Sequence, residues 1–150
     1  MSRLILLDSG PLGFATNPKA KNLSLACQQW LESMLRRGEK VAIPEIADYE
    51  VRRELIRANL LNSLRRLDGL KQTLEYIPIR TETMLLAAKL WAEIRKRGKP
   101  TADSKALDGD VILSAQARLL NDNSTEVIVA TTNVGHLSRL TNAAHWQSIN

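Results

Sequence analysis

The sequence predicts an α/β protein, a three-layer sandwich of helices around a mostly parallel sheet of about five strands, folded as one domain over residues 1–150. Three observations lead there. Two apolar runs without polar alternation, Leu4-Ile5-Leu6-Leu7 and Val127-Ile128-Val129-Ala130, read as strands covered on both faces, the habit of parallel sheets. Between them, segments with apolar residues at steps of three and four alternate with short β-like runs, which implies right-handed crossovers. At 150 residues the chain can bury roughly 68–70 % of its unfolded surface in a single core.

The elements follow in order. Residues 4–7 deliver Asp8 to the carboxyl edge of the sheet, where open α/β folds place their ligands; Asp8 can also simply cap the next helix. Gly10-Pro11-Leu12-Gly13 reads as a turn and residues 17–22 as a polar loop. Leu23, Ala26, Cys27, Trp30, Leu31, Met34 and Leu35 fall at helical spacing, and Arg36-Arg37-Gly38 supplies the cations and glycine that end helices. Val41-Ala42-Ile43 makes a second strand. Pro44 opens a helix at its preferred first turn, with Ile46, Tyr49, Glu50, Arg53 and Arg57 along one broad side. Leu60, Leu61, Leu64, Leu67 and Leu70 form an apolar stripe suited to a core or a partner helix.

Tyr76-Ile77-Pro78-Ile79 is a third strand, sent to an edge by its proline. Thr81 caps a helix with Met84, Leu85, Ala88, Trp91 and Ile94 on its buried side, ending in Arg95-Lys96-Arg97-Gly98. A polar loop over 99–107 leads to Asp108-Gly109-Asp110, at the start of a helix marked by Val111, Ile112, Ala115, Leu119 and Leu120. Residues 127–130 then form a strand ending in Thr131-Thr132-Asn133, and a weak last strand is expected near 146–149.

Composition narrows the function. Hydrophobic content of 44 % and charged content of 25 % are those of an ordinary globular protein, and no apolar run approaches the roughly 20 residues of a membrane helix. The N-terminal apolar run is too short, and too soon followed by Asp8, for a signal-peptide core. Cys27 is the single cysteine, which excludes a disulfide framework or a Cys-based zinc site within one chain and points to the cytoplasm. Two histidines, His136 and His145, support a zinc hydrolase poorly. Lys plus Arg exceed Asp plus Glu by 21 to 16, for a net charge of +5, a balance that suits an anionic partner such as nucleic acid without requiring one.

The carboxylates carry the chemistry. Asp8 ends a strand, Glu50 lies in the helix after the second strand, and Asp108 and Asp110 stand at the start of a late helix. Three or four carboxylates converging over a sheet edge would hold one or two Mg²⁺ or Mn²⁺ ions, which prefer oxygen ligands. Such ions activate water and neutralise charge on a phosphodiester. A helix N-terminus beside Asp110 would keep its carboxylate ionised. Each residue has a structural alternative: Asp108 as a helix N-cap, Glu50 paired with Arg53, Glu54 solvated.

Taken together, their order and context resemble the PIN-domain ribonucleases, which include toxins of bacterial toxin–antitoxin pairs, over nearly the whole chain. Leu6-Leu7-Asp8-Ser9-Gly10 is similar to the family's first acidic motif. Ile43-Pro44-Glu45-Ile46-Ala47-Asp48-Tyr49-Glu50-Val51 resembles the second, which favours Glu50 over Glu45, Asp48 and Glu54. Residues 107–117 are similar to the third and put the catalytic acid on Asp110. Residues 129–137 look like the fourth, with Asn133 and His136 standing where acids often stand. A receiver domain would need an Asp where Arg80-Thr81 stands, and a haloacid-dehalogenase-type phosphatase would need one at Gly10.

The resemblance implies strand order 3-2-1-4-5, which brings Asp8 beside Thr131 and Asn133 at the switch point. It implies a divalent-metal-dependent endoribonuclease using Mg²⁺ or Mn²⁺, with Asp8, Glu50 and Asp110 catalytic and holding the metal, and Asp108 as a further ligand. Ser9, Thr131 and Asn133 would orient ligands or water. Arg53, Arg57 and the cationic cluster at 95–99 would contact phosphates of single-stranded RNA. The expected partners are an antitoxin-like protein and a second copy of the chain, paired through the leucine stripe of residues 60–70. The alternative is a nucleic-acid-binding module with weak or no catalysis, and metal-dependent cleavage separates the two.

Overall fold

A strand of unbroken apolar residues needs cover on both sides, and Leu4, Ile5, Leu6 and Leu7 have it, all four being buried. The computed structural model describes residues 2–19, 21–97 and 104–150. Its elements run β1 (Ser2–Leu7), α1 (Ser9–Thr16), α2 (Asn22–Arg36), β2 (Lys40–Pro44), α3 (Glu45–Arg57), α4 (Leu61–Thr73), β3 (Glu75–Ile77), α5 (Thr81–Lys96), α6 (Ser104–Leu120), β4 (Thr125–Thr131), α7 (Val134–Leu137) and β5 (Ala143–His145). The strands form one sheet of order β3-β2-β1-β4-β5, with every neighbouring pair parallel. Both the α/β sandwich and the strand order are those expected.

Alternation along the strands divides the core into two layers. Ile5, Leu7, Val41 and Ile43 pack with Leu12 of α1, Cys27, Leu31 and Met34 of α2 and Leu67 of α4. Leu4, Leu6, Ala42, Val127 and Val129 face the other way, onto Leu113 and Ala117 of α6. Truncating a fully buried Ile5 or Leu6 to alanine would cost about 2–5 kcal/mol. Two helix ends are set by residues that tolerate positive φ. Gly38 (φ 82) and Asn59 (φ 57) close α2 and α3, with Glu39 N–H donating to Met34 O and Leu60 N–H to Leu55 O, the paired bonds of a Schellman stop.

Several expectations are corrected. Gly10-Pro11-Leu12-Gly13 is helix, not turn: α1 starts at Ser9 with Asp8 as its N-cap, and Pro11 sits in the first turn, where no N–H is needed. Pro44 ends β2 and caps α3 from outside instead of opening it. In α5 the cap position is Arg80, not Thr81, and the expected buried face is largely the exposed one. Thr83, Ala87 and Leu90 point inward, whereas Met84, Leu85 and Trp91 are exposed. The helix carries apolar residues on two sides, and the small Ala87 allows the closer approach to Val111 and Ala115 of α6.

The helix containing Asp108 and Asp110 begins at Ser104, so both acids lie in its second turn and no helix N-terminus supports Asp110. Of the loop expected at 99–107, and of the cationic cluster at 95–99, residues 98–103 lie outside the described residues. The last strand is β5, and Trp146–Ser148 is instead a 3-10 turn that buries Trp146 edge-on to Phe14 and Trp30. The leucine stripe is split: Leu67 is buried while Leu60 and Leu61 are exposed, so it is no continuous surface for a second copy. No described helix is long and apolar enough to cross a membrane.

Candidate active site

Parallel pairing of β1 with β4 makes the end of β1 and the end of β4 neighbours across 123 residues of sequence. Thr131 Oγ1 donates to Asp8 Oδ2 at 2.7 Å and itself accepts from Asn133 N–H at 2.9 Å. Ser9 N–H donates to Asp8 Oδ1 at 2.7 Å, and Asp8 N–H donates to Ala130 O at 3.0 Å. The expected orienting residues Ser9, Thr131 and Asn133 therefore do gather at Asp8, with Asn133 acting through its backbone. Burial raises the Asp8 carboxyl above its ordinary value, and the Thr131 and Ser9 bonds pull against that rise.

Glu50 faces this edge from α3 and Asp110 from α6. The Glu50 carboxyl is pushed up to about 7, by burial first and then by the charge of Asp8, with Arg53 opposing and Asp110 adding a smaller push. Asp110 rises to about 6, by burial first and then by Asp8, with His136 opposing. Asp8 thus lies close enough to both other acids named from sequence to raise their carboxyls, as at functional sites where like charges are gathered.

The neighbouring acids of α3 are otherwise engaged. Glu45 Oε1 accepts from Ile79 N–H at 2.7 Å. Asp48 takes Arg52 and Tyr76 at 2.9 and 2.7 Å, and Glu54 pairs with Arg57 at 2.8 Å. Among the described residues no donor is bonded to Glu50, which leaves it for the site. Arg53 lies 5.0 Å over the Tyr49 ring and lines a cleft of about 320 Å³ with Glu50, Asp108 and Gly109. Asp108 is exposed in that cleft. Arg57, the other expected phosphate contact, is held in its exposed pair with Glu54.

Gly109 is a residue that sequence reading left without a role. A Cβ there would stand 2.5 Å from Glu50 Oε2, so α6 and the Glu50 side chain can approach only over a bare Cα. The signal was present: a glycine between two acids in mid-helix costs helix stability and usually has a packing or functional reason. Gln116 was also passed over. Its Nε2 donates to Ile77 O at 2.8 Å and its Oε1 accepts from Ile46 N–H at 3.4 Å, which ties α6 to β3 and to the start of α3.

The donor set is hard oxygen throughout, the kind that Mg²⁺ or Mn²⁺ takes. Among the described residues no three His, Cys, Asp or Glu side chains are already arranged as a metal-binding group, so Glu50 and Asp110 would have to turn toward Asp8 to share an ion. An apolar groove of about 440 Å³ along Met84, Ala88, Trp91, Val111 and Ile112 also has Asp108 in its wall. It meets the Glu50 cleft at Asp108 and Ile112.

No family model and no curated protein matches the chain. Solved structures do. The chain is similar to a chain of VapBC2 from Rickettsia felis bound to a DNA fragment from their promoter, with a TM-score of 0.73 and 17 % identity over 95 % of this chain and 98 % of that one. It is similar to a chain of VapBC-1 from nontypeable Haemophilus influenzae, at TM-score 0.66, 15 % identity and coverage of 97 % and 99 %. It also resembles a chain of DNA-bound VapBC from Salmonella typhimurium, at 0.64, 19 %, 97 % and 99 %. At these identities what is shared is the fold, the VapC-type PIN fold that the acidic motifs resemble.

Proposed function

We propose that this chain is a divalent-metal-dependent endoribonuclease, hydrolysing phosphodiester bonds of single-stranded RNA in the cytoplasm as the toxin of a toxin–antitoxin pair. One observation carries the reading: at the carboxyl edge of the sheet Asp8 stands near enough to raise the carboxyls of both Glu50 and Asp110, and none of the three has a cationic hydrogen-bond partner among the described residues. A buried cluster of like charges costs stability, and the charge of a divalent cation is what removes that cost.

Asp8, Glu50 and Asp110 would hold Mg²⁺ or Mn²⁺, with Asp108 offering an outer oxygen. When bound, the ion supplies Lewis acidity, easing deprotonation of water and offsetting charge on the phosphodiester. Asp8 contributes an oxygen whose direction is set by Thr131 Oγ1 and Ser9 N–H. Glu50 and Asp110, raised by burial and by Asp8 in the metal-free chain, would be held ionised by the cation and serve as its ligands. Arg53 is free to meet a phosphate beside Glu50, and Arg57 can do so by exchanging an exposed ion pair worth little.

The likeness to VapBC chains supports an antitoxin-like protein as partner, and the groove along Met84, Ala88 and Trp91 offers it an apolar surface that ends near Glu50. Pairing of two copies belongs to the same reading but not through the split leucine stripe; a monomer mass by light scattering at high micromolar concentration would remove it.

The test is cleavage of single-stranded RNA by purified protein with Mn²⁺ or with chelator, parent against Asp110→Asn, with matched thermal melts. We expect cleavage only with metal and a loss of at least about 100-fold in the variant, since the substitution keeps size and removes a ligand charge. Equal cleavage by both would reject the site. No cleavage by either, with salt-sensitive RNA binding intact, would establish the binding-module alternative.

A further inference from the structure

A second cleft borders Asp110, apart from the one that Glu50 lines. Arg97 at the end of α5, His136 in α7 and Arg139 just after it enclose about 100 Å³ together with Asp110, over Leu107 and Leu140. That is the room of about three waters at ~30 Å³ each, or of one tetrahedral oxyanion in their place. Among the described residues neither guanidinium has a carboxylate within ion-pair distance. His136 Nδ1 is buried with no hydrogen-bond partner, and a buried polar atom without one calls for an explanation.

We propose that this cleft is a phosphate subsite, in which Arg97, His136 and Arg139 hold the phosphate of the RNA strand next to the one cut at Asp110. The inference deepens the nuclease reading and rests on it for the identity of the strand. The chemistry selects an anion. Two guanidiniums would repel a second metal ion, whereas guanidinium forks match phosphate oxygens in pairs. The subsite would anchor the strand on the side of Asp110 away from Arg53 and set the register of the scissile bond.

The test is binding of a single-stranded RNA 12-mer without metal, by fluorescence anisotropy from 50 to 200 mM salt, for the parent, Arg97→Gln, Arg139→Gln, the double variant and the exposed control Arg36→Gln. All three positions are on the surface, so the fold is kept, and melts check it. One shared phosphate predicts that either single variant flattens the slope of log K against log salt by about 0.7, and that the double variant flattens it no further. Millimolar inorganic phosphate should compete with the parent and not with the double variant, and Arg36→Gln should behave as the parent. Slopes equal to the control, or an additive loss of about 1.4 in the double variant, would overturn the subsite. With Mn²⁺ added, Arg139→Gln should raise KM severalfold at unchanged kcat. A parent that binds in this pattern but cleaves nothing keeps the subsite and loses the nuclease reading; cleavage with all slopes and KM unchanged does the reverse.

Discussion

Two carboxylates stand two residues apart on α3 and are treated in opposite ways. Asp48 is buried with both oxygens answered: Arg52 Nε donates to Oδ1 at 2.9 Å and Tyr76 Oη to Oδ2 at 2.7 Å, and Arg52 goes on to Asp68 at 2.9 Å. Glu50 is half-buried, is raised by the charge of two further acids and faces a bare Cα. The first arrangement strengthens the fold. The second weakens it, and such local conflicts gather at functional sites. On one helix, the unanswered carboxylate is therefore the one to assign to chemistry.

The largest expected effect breaks the answered side. Asp48→Ala strands the Tyr76 hydroxyl and removes a buried partner of Arg52, which should cost about 3 kcal/mol in urea denaturation. Cleavage per folded molecule should be kept. A loss under about 0.5 kcal/mol, the range of ordinary surface changes, would mean that Asp48 is not structural.

Glu50→Gln should move stability the other way. With its carboxyl raised from 4.5 to about 7, the native state binds more protons than the unfolded chain between those values, so the parent loses stability as pH rises through that window. The variant escapes the loss. In chelator at pH 8 it should be more stable by on the order of 1–2 kcal/mol, after allowance for solvent screening, while at pH 4.5 the two should melt together. The gain should come with loss of cleavage. A variant less stable than the parent at pH 8 would undo the contrast with Asp48.

That contrast was half legible in the sequence. Asp8, Glu50 and Asp110 could be named because each sits in a local motif, but nothing local says that Asp48 has Tyr76 from β3 as a partner. The meeting of Asp8 with Thr131 depends on strand order, which the acidic motifs implied through resemblance alone. β1 and β4 were visible because their apolar runs are unbroken. β5 was not, because Ala143, Ala144 and His145 carry no strand signal and are paired through backbone to β4. α1 was hidden by Gly10 and Gly13, which spell a turn. Gly10 is there for another reason, since a Cβ would stand 2.7 Å from Thr132 Oγ1. The arginines of the second cleft meet only in three dimensions, from the end of α5 and the segment after α7.

Thr131→Val sharpens the comparison by making Asp8 more like Glu50. The side chain keeps its volume but loses the donor to Asp8 and the acceptor for Asn133 N–H. We expect a cost of about 1 kcal/mol and a further rise in the Asp8 carboxyl, since the Thr131 bond is the largest of those that hold it down. Mn²⁺ affinity by calorimetry should fall about 10-fold, the usual penalty for removing an orienting partner. Unchanged affinity would mean that Asp8 needs no orientation.

The smallest stability change should come from Gly109→Ala, and its value lies in separating fold from site. In mid-helix the alanine gains about 1 kcal/mol of helix propensity over glycine. Against that, the new Cβ would stand 2.5 Å from Glu50 Oε2 and 3.3 Å from Cδ. Both atoms belong to the far end of a flexible side chain, which can swing off by rotamer changes costing about as much as the helix gains. Net stability should stay within about 0.5 kcal/mol of the parent. The displaced Glu50 can no longer turn toward Asp8, so cleavage should fall by at least about 10-fold, and the pH dependence of the melt should flatten toward that of Glu50→Gln. An alanine variant with full activity and the parent's pH dependence would show that Glu50 does its work from another position, and the bare Cα of Gly109 would then have no part in the site.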